Sequence, residues 1–562
     1  MSVFIGYPSF MAYQMMKGKK GNNDGFPSIP GMIARYSASG LTNKQMAANP
    51  VWKDLTGNGH DLQMKNFAWG GMSGVGGYKL NRSNSNTWAN YIVHGTYGTG
   101  EITNNTIHIT SAKSHNALFE TKTSLKSVEY KVLIKGLTDD INLGYGVFNN
   151  GQELWTEIKN DGIYTLPSYD YDSRYNMKWK VISQTYPIDC DITIEQLPLY
   201  PDALVFDGVD DYGVCENFPI LTKEKGYTVV ALRQWISMGE GISGLVSNVK
   251  NWFKDGAFVL EYNSHNATNK FVNRPVSFGN VNIERDLPNN FTYQTSKSYK
   301  GVPITTGSFK GTNSLFVGKL NNIIGNCSNV AIWELVFLDH DATEEELTKI
   351  KDYFVKIYPW LFPDQAWTVT GKTNEDEDRA TIANITGNGN DLVLSNFGFI
   401  EGSGYNEEGE HAGYLVTDGV DDEIISAKLI QFADKFTIVG DWKFMEDRND
   451  NAGLLKANQI YIYNATTGMR IYLKQGSKNY PFSCKKINAL TSDGWVYDEK
   501  WDKYKVYPIG SDIDISSRLF LGFYSSNFTK IALKNLGIYN DQLLSKDDCI
   551  KAYNYLQTLK AK

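Results

Sequence analysis

The chain has 562 residues, 41% hydrophobic and 13% aromatic, enough to bury several independent cores and too apolar for a disordered polymer. Its formal charge of −7 is spread without a long basic tract, which excludes the clustered Lys and Arg of a nucleic-acid surface. Five scattered cysteines, Cys190, Cys215, Cys327, Cys484 and Cys549, contain no C-x-x-C pair and suit buried thiols in a reducing cytoplasm rather than zinc ligands or disulfides.

Residues 1–31 form an N-terminal arm. Phe4, Ile5, Tyr7, Phe10, Met11, Tyr13, Met15 and Met16 are apolar but have no period long enough for a core of their own. The arm therefore either becomes ordered against another subunit, with Phe4, Tyr7, Phe10 and Tyr13 as attachment contacts, or stays a disordered or locally packed terminus. Its charges, Lys17, Lys19 and Lys20, follow the apolar stretch, whereas a secretory signal carries its charge first. No apolar run reaches the roughly 20 residues needed to span a bilayer. The expectation is a chain that is soluble where it is made, with no membrane insertion.

Two segments then repeat: Asp54-Leu-Thr-Gly-Asn-Gly-His-Asp-Leu62 and Asn384-Ile-Thr-Gly-Asn-Gly-Asn-Asp-Leu392, followed at the same offset by Asn66-Phe67 and Asn396-Phe397. Leu204-Val-Phe-Asp-Gly-Val-Asp-Asp211 matches Leu415-Val-Thr-Asp-Gly-Val-Asp-Asp422. The offset is 330 at the first motif and 211 at the second, so the first copy carries 119 extra residues. That is a domain's worth of chain. It divides the protein into residues 32–78 and 201–360 for a first domain, 79–200 for an insert and 364–562 for a second copy.

Within the insert, Val128-Glu-Tyr-Lys-Val-Leu-Ile134 and Ile192-Thr-Ile-Glu-Gln-Leu197 alternate apolar and polar residues, the period of half-buried strands. After it, Tyr227–Leu232, Ala257–Tyr262, Val330–Leu338, Phe436–Asp441, Met469–Leu473 and Ile531–Tyr539 are short and β-branched or aromatic. Each copy closes on a helix opened by a capping box, Thr343-x-x-Glu346 or Ser545-x-x-Asp548. Leu347, Ile350, Phe354 and Ile357 form the stripe of a helix lying on a sheet, and Pro359 and Pro363 stop it.

The Gly-Asn-Gly turn, the Phe-Asp-Gly-Val-Asp-Asp-Tyr segment and the closing strand and helix resemble the concanavalin A-like lectin/glucanase (laminin-G-like) superfamily. This resemblance implies an all-β fold of two jelly-roll sandwiches, the first interrupted by a further β-sandwich domain that is itself similar to a carbohydrate-binding module. The superfamily contains lectins, glycosidases and structural members.

Glucanases of that superfamily carry catalytic carboxylates in a Glu-x-Asp-x-x-Glu strand, which is absent here. No catalytic residue and no cofactor is expected. Asp207, Asp210 and Asp211, with Asp418, Asp421 and Asp422, offer oxygens to a calcium ion, but Asp-Gly is also a hairpin turn signal, and the turn reading is preferred, with no metal. Thr56-Gly-Asn-Gly59 and Thr386-Gly-Asn-Gly389 read as turns with positive φ. Two aromatic clusters remain. Tyr164, Tyr169, Tyr171, Tyr175 and Trp179 sit among Asp and Arg, and Trp495, Tyr497, Trp501 and Tyr504 sit among Asp. Each is either a stacking face for a glycan or part of a core or subunit interface, and the ligand-binding candidates are Tyr169, Tyr171, Trp179, Trp495, Tyr497 and Trp501.

The whole arrangement resembles head- or tail-fibre proteins of phages infecting gut Bacteroidetes. That implies a non-enzymatic virion protein made in the host cytoplasm, attached through its arm to other virion structural proteins. It further implies a homo-oligomer whose lectin-like domains contact host surface glycans. The alternatives are a purely structural capsid or tail component and a glycan-degrading glycosidase.

Overall fold

The computed structural model describes residues 24–78, 91–103, 105–121, 130–149, 152–166, 178–237, 243–249, 258–263, 270–273, 281–284, 290–303, 311–321, 327–445, 453–457, 460–465, 468–473, 476–480, 487–498, 501–506, 515–524 and 527–561. Nearly all of its regular structure is β, as expected, and every strand pair is antiparallel.

The first sandwich has two eight-stranded sheets. One is centred on Thr228–Ser237 and Asn329–Leu338, with Leu204–Asp207 and Gly74–Val75 beyond. The other runs from Val51–Trp52 through Gly311–Val317 to Val281–Glu284. The second sandwich repeats both strand orders, with Phe436–Phe444 and Ile531–Asn540 at the centre. Even the irregularity recurs. The pairing slips between Leu232 and Arg233 in one copy and between Asp441 and Trp442 in the other, leaving Trp333 and Lys534 as bulge residues. The repeat seen in a few turn motifs is thus a repeat of whole domains.

Turn chemistry sets the ends of these strands. Gly57, Gly59, Gly387 and Gly389 have φ of 83°, 84°, 83° and 62°, a region that costs a side chain about 1–2 kcal/mol. Both N-caps form: the Glu346 and Asp548 amides donate to Thr343 Oγ1 and Ser545 Oγ at 3.3 and 3.1 Å, and in the first the Thr343 amide donates back to Glu346 at 2.9 Å. The helices Glu344–Ile357 and Lys546–Gln557 follow. Between the sheets lie Trp52, Leu204, Phe337 and Leu335 in one copy and Trp367, Leu415, Trp442 and Leu533 in the other, all buried. Each such side chain stabilises by about 1.5–3 kcal/mol. Sequence reasoning missed the short helix Asn43–Ala48 capped by Thr42.

The insert is a third sandwich of two five-stranded sheets. Its core comprises Ile107, Ile109, Phe119, Val132, Ile134, Leu143, Trp179, Val181, Ile192 and Ile194. It springs from one hairpin, for Leu204 pairs with Val75, the Gly76 amide donates to the Ala203 carbonyl and Tyr200 donates back to Gly76. The second copy bridges the same strands with residues 407–413 alone. Entry and exit side by side explain how a whole domain fits there without disturbing the sheet.

The described residues form two compact units. One holds the first sandwich, and the other holds the insert together with the second sandwich. Inside the latter, the Lys131 ammonium of the insert lies 3.8 Å from the Tyr553 ring centroid of the closing helix.

Two expectations need correction. Residues 24–31, assigned to the attachment arm, pack with the first sandwich instead, the locally packed alternative. Arg35 donates to Asp24 at 2.6 Å, to the buried Glu334 at 3.3 Å and to the Tyr353 hydroxyl at 3.0 Å, and its guanidinium lies 4.0 Å from the Phe26 ring centroid. The attachment candidates Phe4, Tyr7, Phe10 and Tyr13 lie outside the described residues. Among the cysteines, Cys215, Cys327 and Cys549 are buried free thiols but Cys190 is only half-buried; Cys484 lies outside the described residues.

Candidate functional site

Three of the four described glycan-contact candidates are buried in packing. Trp179 is fully buried, its ring 4.8 Å from Tyr145 in the insert core. Tyr497 and Trp501 are buried too, because Trp501 meets Tyr553 edge-on at 5.7 Å. Asp498 builds this corner rather than greeting a sugar. It accepts from the Asp502 amide at 2.9 Å and the Tyr504 hydroxyl at 3.2 Å, holding Trp501 at φ 64°. Tyr164 is half-buried and donates to the Asn160 carbonyl. Tyr169, Tyr171 and Tyr175 lie outside the described residues. Among the described ligand-binding candidates only Trp495 is half-exposed, with the Lys503 and Lys505 ammonium groups 4.2 and 4.4 Å from its ring centroid.

The aspartate triads are turns of one design. Asp207 Oδ1 accepts from the Val209 amide at 2.8 Å, while Asp211 accepts from the Asp207 amide and the Ser73 hydroxyl, both at 3.0 Å. In the second copy Asp418, Asp422 and Ser403 repeat each bond at 2.7, 2.7 and 3.1 Å. The three carboxylates of each triad lie within 4.8 Å of one another. Burial first, and the Asp207 charge second, push Asp211 up to about 8, and burial raises Asp422 to about 6. A carboxyl that keeps its proton is how such a crowd avoids like-charge repulsion.

A different surface has the properties sought. In the insert, Ile141, Leu143 and Tyr145 of strand Ile141–Asn149 point into the core, so the period of two turns Asn142, Gly144 and Gly146 outward. Strand Gln152–Ile158 pairs beside it with Trp155 opposite Gly146, and Lys178–Ser183 flanks the other side with Lys180 opposite Gly144. Trp155 lies down on the bare backbone. A Cβ at Gly146 would stand 2.7–2.8 Å from three atoms of its six-membered ring, and one at Gly144 would meet Lys180 at 2.9 Å. The half-exposed indole is held flat, with the Lys180 ammonium 3.9 Å from its centroid.

Polar groups surround it on the same face. Asn142 donates to Glu157 at 3.0 Å, Glu157 pairs with Lys159 at 3.5 Å, and Glu120 pairs with His94 at 3.2 Å and Lys178 at 3.8 Å. A flat aromatic surface ringed by amide, ammonium and carboxylate groups matches the two faces of a sugar, apolar C–H on one side and hydroxyls at the edge. The sequence did carry a signal here: Gly144 and Gly146, two apart within a strand, mark a close approach to the backbone.

No protein-family model and no curated protein sequence matches the chain. Among solved structures it is similar to Trypanosoma rangeli sialidase in complex with sialic acid, at 10% identity over 81% of this chain and 83% of that chain, with a TM-score of 0.25. It is also similar to the receptor binding domain of botulinum neurotoxin mosaic serotype C/D, at 9% identity over 61% of this chain and 89% of that one, TM-score 0.24. The botulinum neurotoxin serotype D binding domain gives 10% identity, 61% and 88% coverage and a TM-score of 0.24. Similarities this slight carry no argument about what the chain binds or does.

Proposed function

We propose that the chain is a non-enzymatic surface protein that contacts glycans through the outer sheet face of its insert. The observation that carries this is Trp155 laid flat across Gly144 and Gly146 beside Lys180. A ring fixed by the backbone loses little conformational entropy when a sugar stacks on it, so even a small contact yields net binding. The missing Glu-x-Asp-x-x-Glu strand supports binding without cleavage.

Trp155→Ala is expected to weaken binding of the best oligosaccharide on a glycan array by at least about tenfold, equivalent to about 1.4 kcal/mol, while Trp155→Tyr retains part of it. An unchanged array profile in Trp155→Ala refutes the assignment. Release of reducing ends from any bound glycan would make the chain a glycosidase.

The same proposal includes a setting: a phage head- or tail-fibre protein, acting as a homo-oligomer and held to other virion proteins by residues 1–23. The resemblance in domain order and the apolar Phe4, Tyr7, Phe10 and Tyr13 support it. Because Asp24 and Phe26 serve the first sandwich, the informative deletion ends at residue 23. That truncation is expected to keep the wild-type melting profile and to drop out of assembled particles; normal incorporation defeats the attachment role.

A further inference from the structure

We infer that the second sandwich carries its own site for an anionic carbohydrate, built from Tyr414, Lys443 and Lys534 on the outer face of its central sheet. Leu415, Trp442 and Leu533 point into the core, so their neighbours Tyr414 and Lys443 point outward. Lys534 is the bulge residue, with no counterpart in the strand Phe436–Phe444 between the pairs Asp441 with Asn535 and Trp442 with Leu533. A bulge of this kind re-aims one side chain. Here it brings the Lys534 ammonium 5.5 Å from the Tyr414 ring centroid, with that of Lys443 at 5.2 Å.

The other copy shows what this location is like when it serves packing alone. Ala203, Gln234 and Trp333 occupy the equivalent positions, all buried, and the bulge aims Trp333 at the Pro201 carbonyl, to which its Nε1 donates at 2.8 Å. The second copy keeps the bulge but replaces this seal with two half-exposed lysines beside a half-exposed tyrosine. Packing does not demand that exchange. The carboxylate beside the ring is turned inward: Asp441 is 4% exposed and accepts from the Tyr414 hydroxyl and from Gln557, both at 3.1 Å. It therefore fixes the ring rather than opposing an incoming anion. Beside it in register, Asn535 is 1% exposed and neither its amide oxygen nor its nitrogen has a partner, the mark of a place where polar atoms await a further group.

Two ammonium groups flanking an aromatic ring suit a sugar that carries a carboxylate or sulfate, the ring contacting its C–H face and the lysines its charge. The glycan class rests on the reading proposed for the insert, whereas the anion preference rests on these three residues alone.

The test is a titration of the full chain with a uronic-acid hexamer, a sulfated hexamer and a neutral hexamer, at low salt and near about 0.3 M salt, where charge interactions are screened within several Å. The variant Lys443→Met/Lys534→Met keeps the aliphatic stems that pack on Tyr414. It is expected to retain the wild-type melting profile and to lose at least tenfold in affinity for one or both acidic hexamers, with the neutral one unaffected. Trp155→Ala should leave that acid-specific, salt-sensitive component in place, so the two sites fail separately. Acidic binding undiminished in the double variant, or no preference for acidic over neutral hexamer in the wild type, overturns the inference.

Discussion

Glu261→Ala is expected to lower the stability of the first sandwich by about 3–5 kcal/mol, the usual result of breaking a buried ion pair from one side. Glu261 is 1% exposed, yet its carboxylate accepts five hydrogen bonds: from Arg233 Nε and Nη2 at 2.7 and 2.6 Å, Trp235 Nε1 at 2.8 Å, and Thr292 Oγ1 and Tyr299 Oη at 2.7 Å each. Glu261 belongs to one sheet while Arg233, Trp235, Thr292 and Tyr299 belong to the other. The cluster is a polar clasp across the sandwich. Burial alone would raise the carboxyl, but the Arg233 charge and the donors win and hold it at about 2.

Glu261 also stands at φ 51°, a strained setting for a long side chain. Glu261→Gly relieves that strain while removing the same carboxylate, so it is expected to fall short of the Ala variant's loss by about 1 kcal/mol. The pair is read from the melting transition of the first sandwich in the full chain. A Gly variant as stable as the wild type would show that backbone strain, and not the clasp, dominates at this position. The sign with pH follows from the lowered carboxyl: its stabilisation is complete above the carboxyl's unfolded value near 4 and is lost as pH falls toward 2.

Local chemistry was legible in the sequence and long-range pairing was not. The N-caps at Thr343 and Ser545 and the turns at Gly57 and Gly387 are decided by neighbours a few residues away, so reading them needs no fold. The 119-residue insert could be located because the two copies compare with each other. Exposure of an aromatic is another matter. Trp501 and Tyr504 sit among aspartates in sequence, the composition of a sugar site, but whether Trp501 faces water depends on Tyr553, which a helix late in the chain delivers. Trp179 likewise has polar sequence neighbours, whereas its strand alternation turns it inward onto Tyr145.

Trp155 shows the converse. Leu154-Trp155-Thr156 reads as an ordinary strand, and only the register that sets Trp155 opposite Gly146 makes it a platform. Lys534 was invisible for a related reason. Period-two reasoning fails at a bulge, and nothing local announces that the strand Ile531–Asn540 slips against Phe436–Phe444 between Asp441 and Trp442. The residues with the strongest claim to function thus lie where pairing between distant segments departs from, or adds to, the simple pattern.

Raising the pH from 4 to 8 is expected to destabilise the first sandwich, and Asp211→Asn is expected to remove most of that dependence. Asp211 is fully buried, and burial together with the Asp207 charge lifts its carboxyl to about 8, so the folded state holds a proton that the unfolded chain has released. A raised value of this kind contributes stability that is complete below the unfolded value near 4 and is lost as pH climbs through about 8. At about 1.4 kcal/mol for each tenfold change, the ceiling is about 5 kcal/mol, and relaxation around the turn reduces it to about 2–3 kcal/mol. Asn is the neutral isostere: its oxygen can accept from the Asp207 amide, and its NH2 can donate to Ser73 Oγ, whose hydroxyl accepts as readily as it donates. The variant should therefore match the wild type at pH 5 and exceed it at pH 8. Asp422, raised only to about 6, should give the second sandwich a weaker decline confined to pH 4–6, so the two transitions separate as pH rises. Wild-type stability that increases from pH 5 to 8, with Asp211→Asn less stable at pH 8, would mean that the carboxylate is ionised in the folded protein and that a cation, rather than a proton, neutralises the triad.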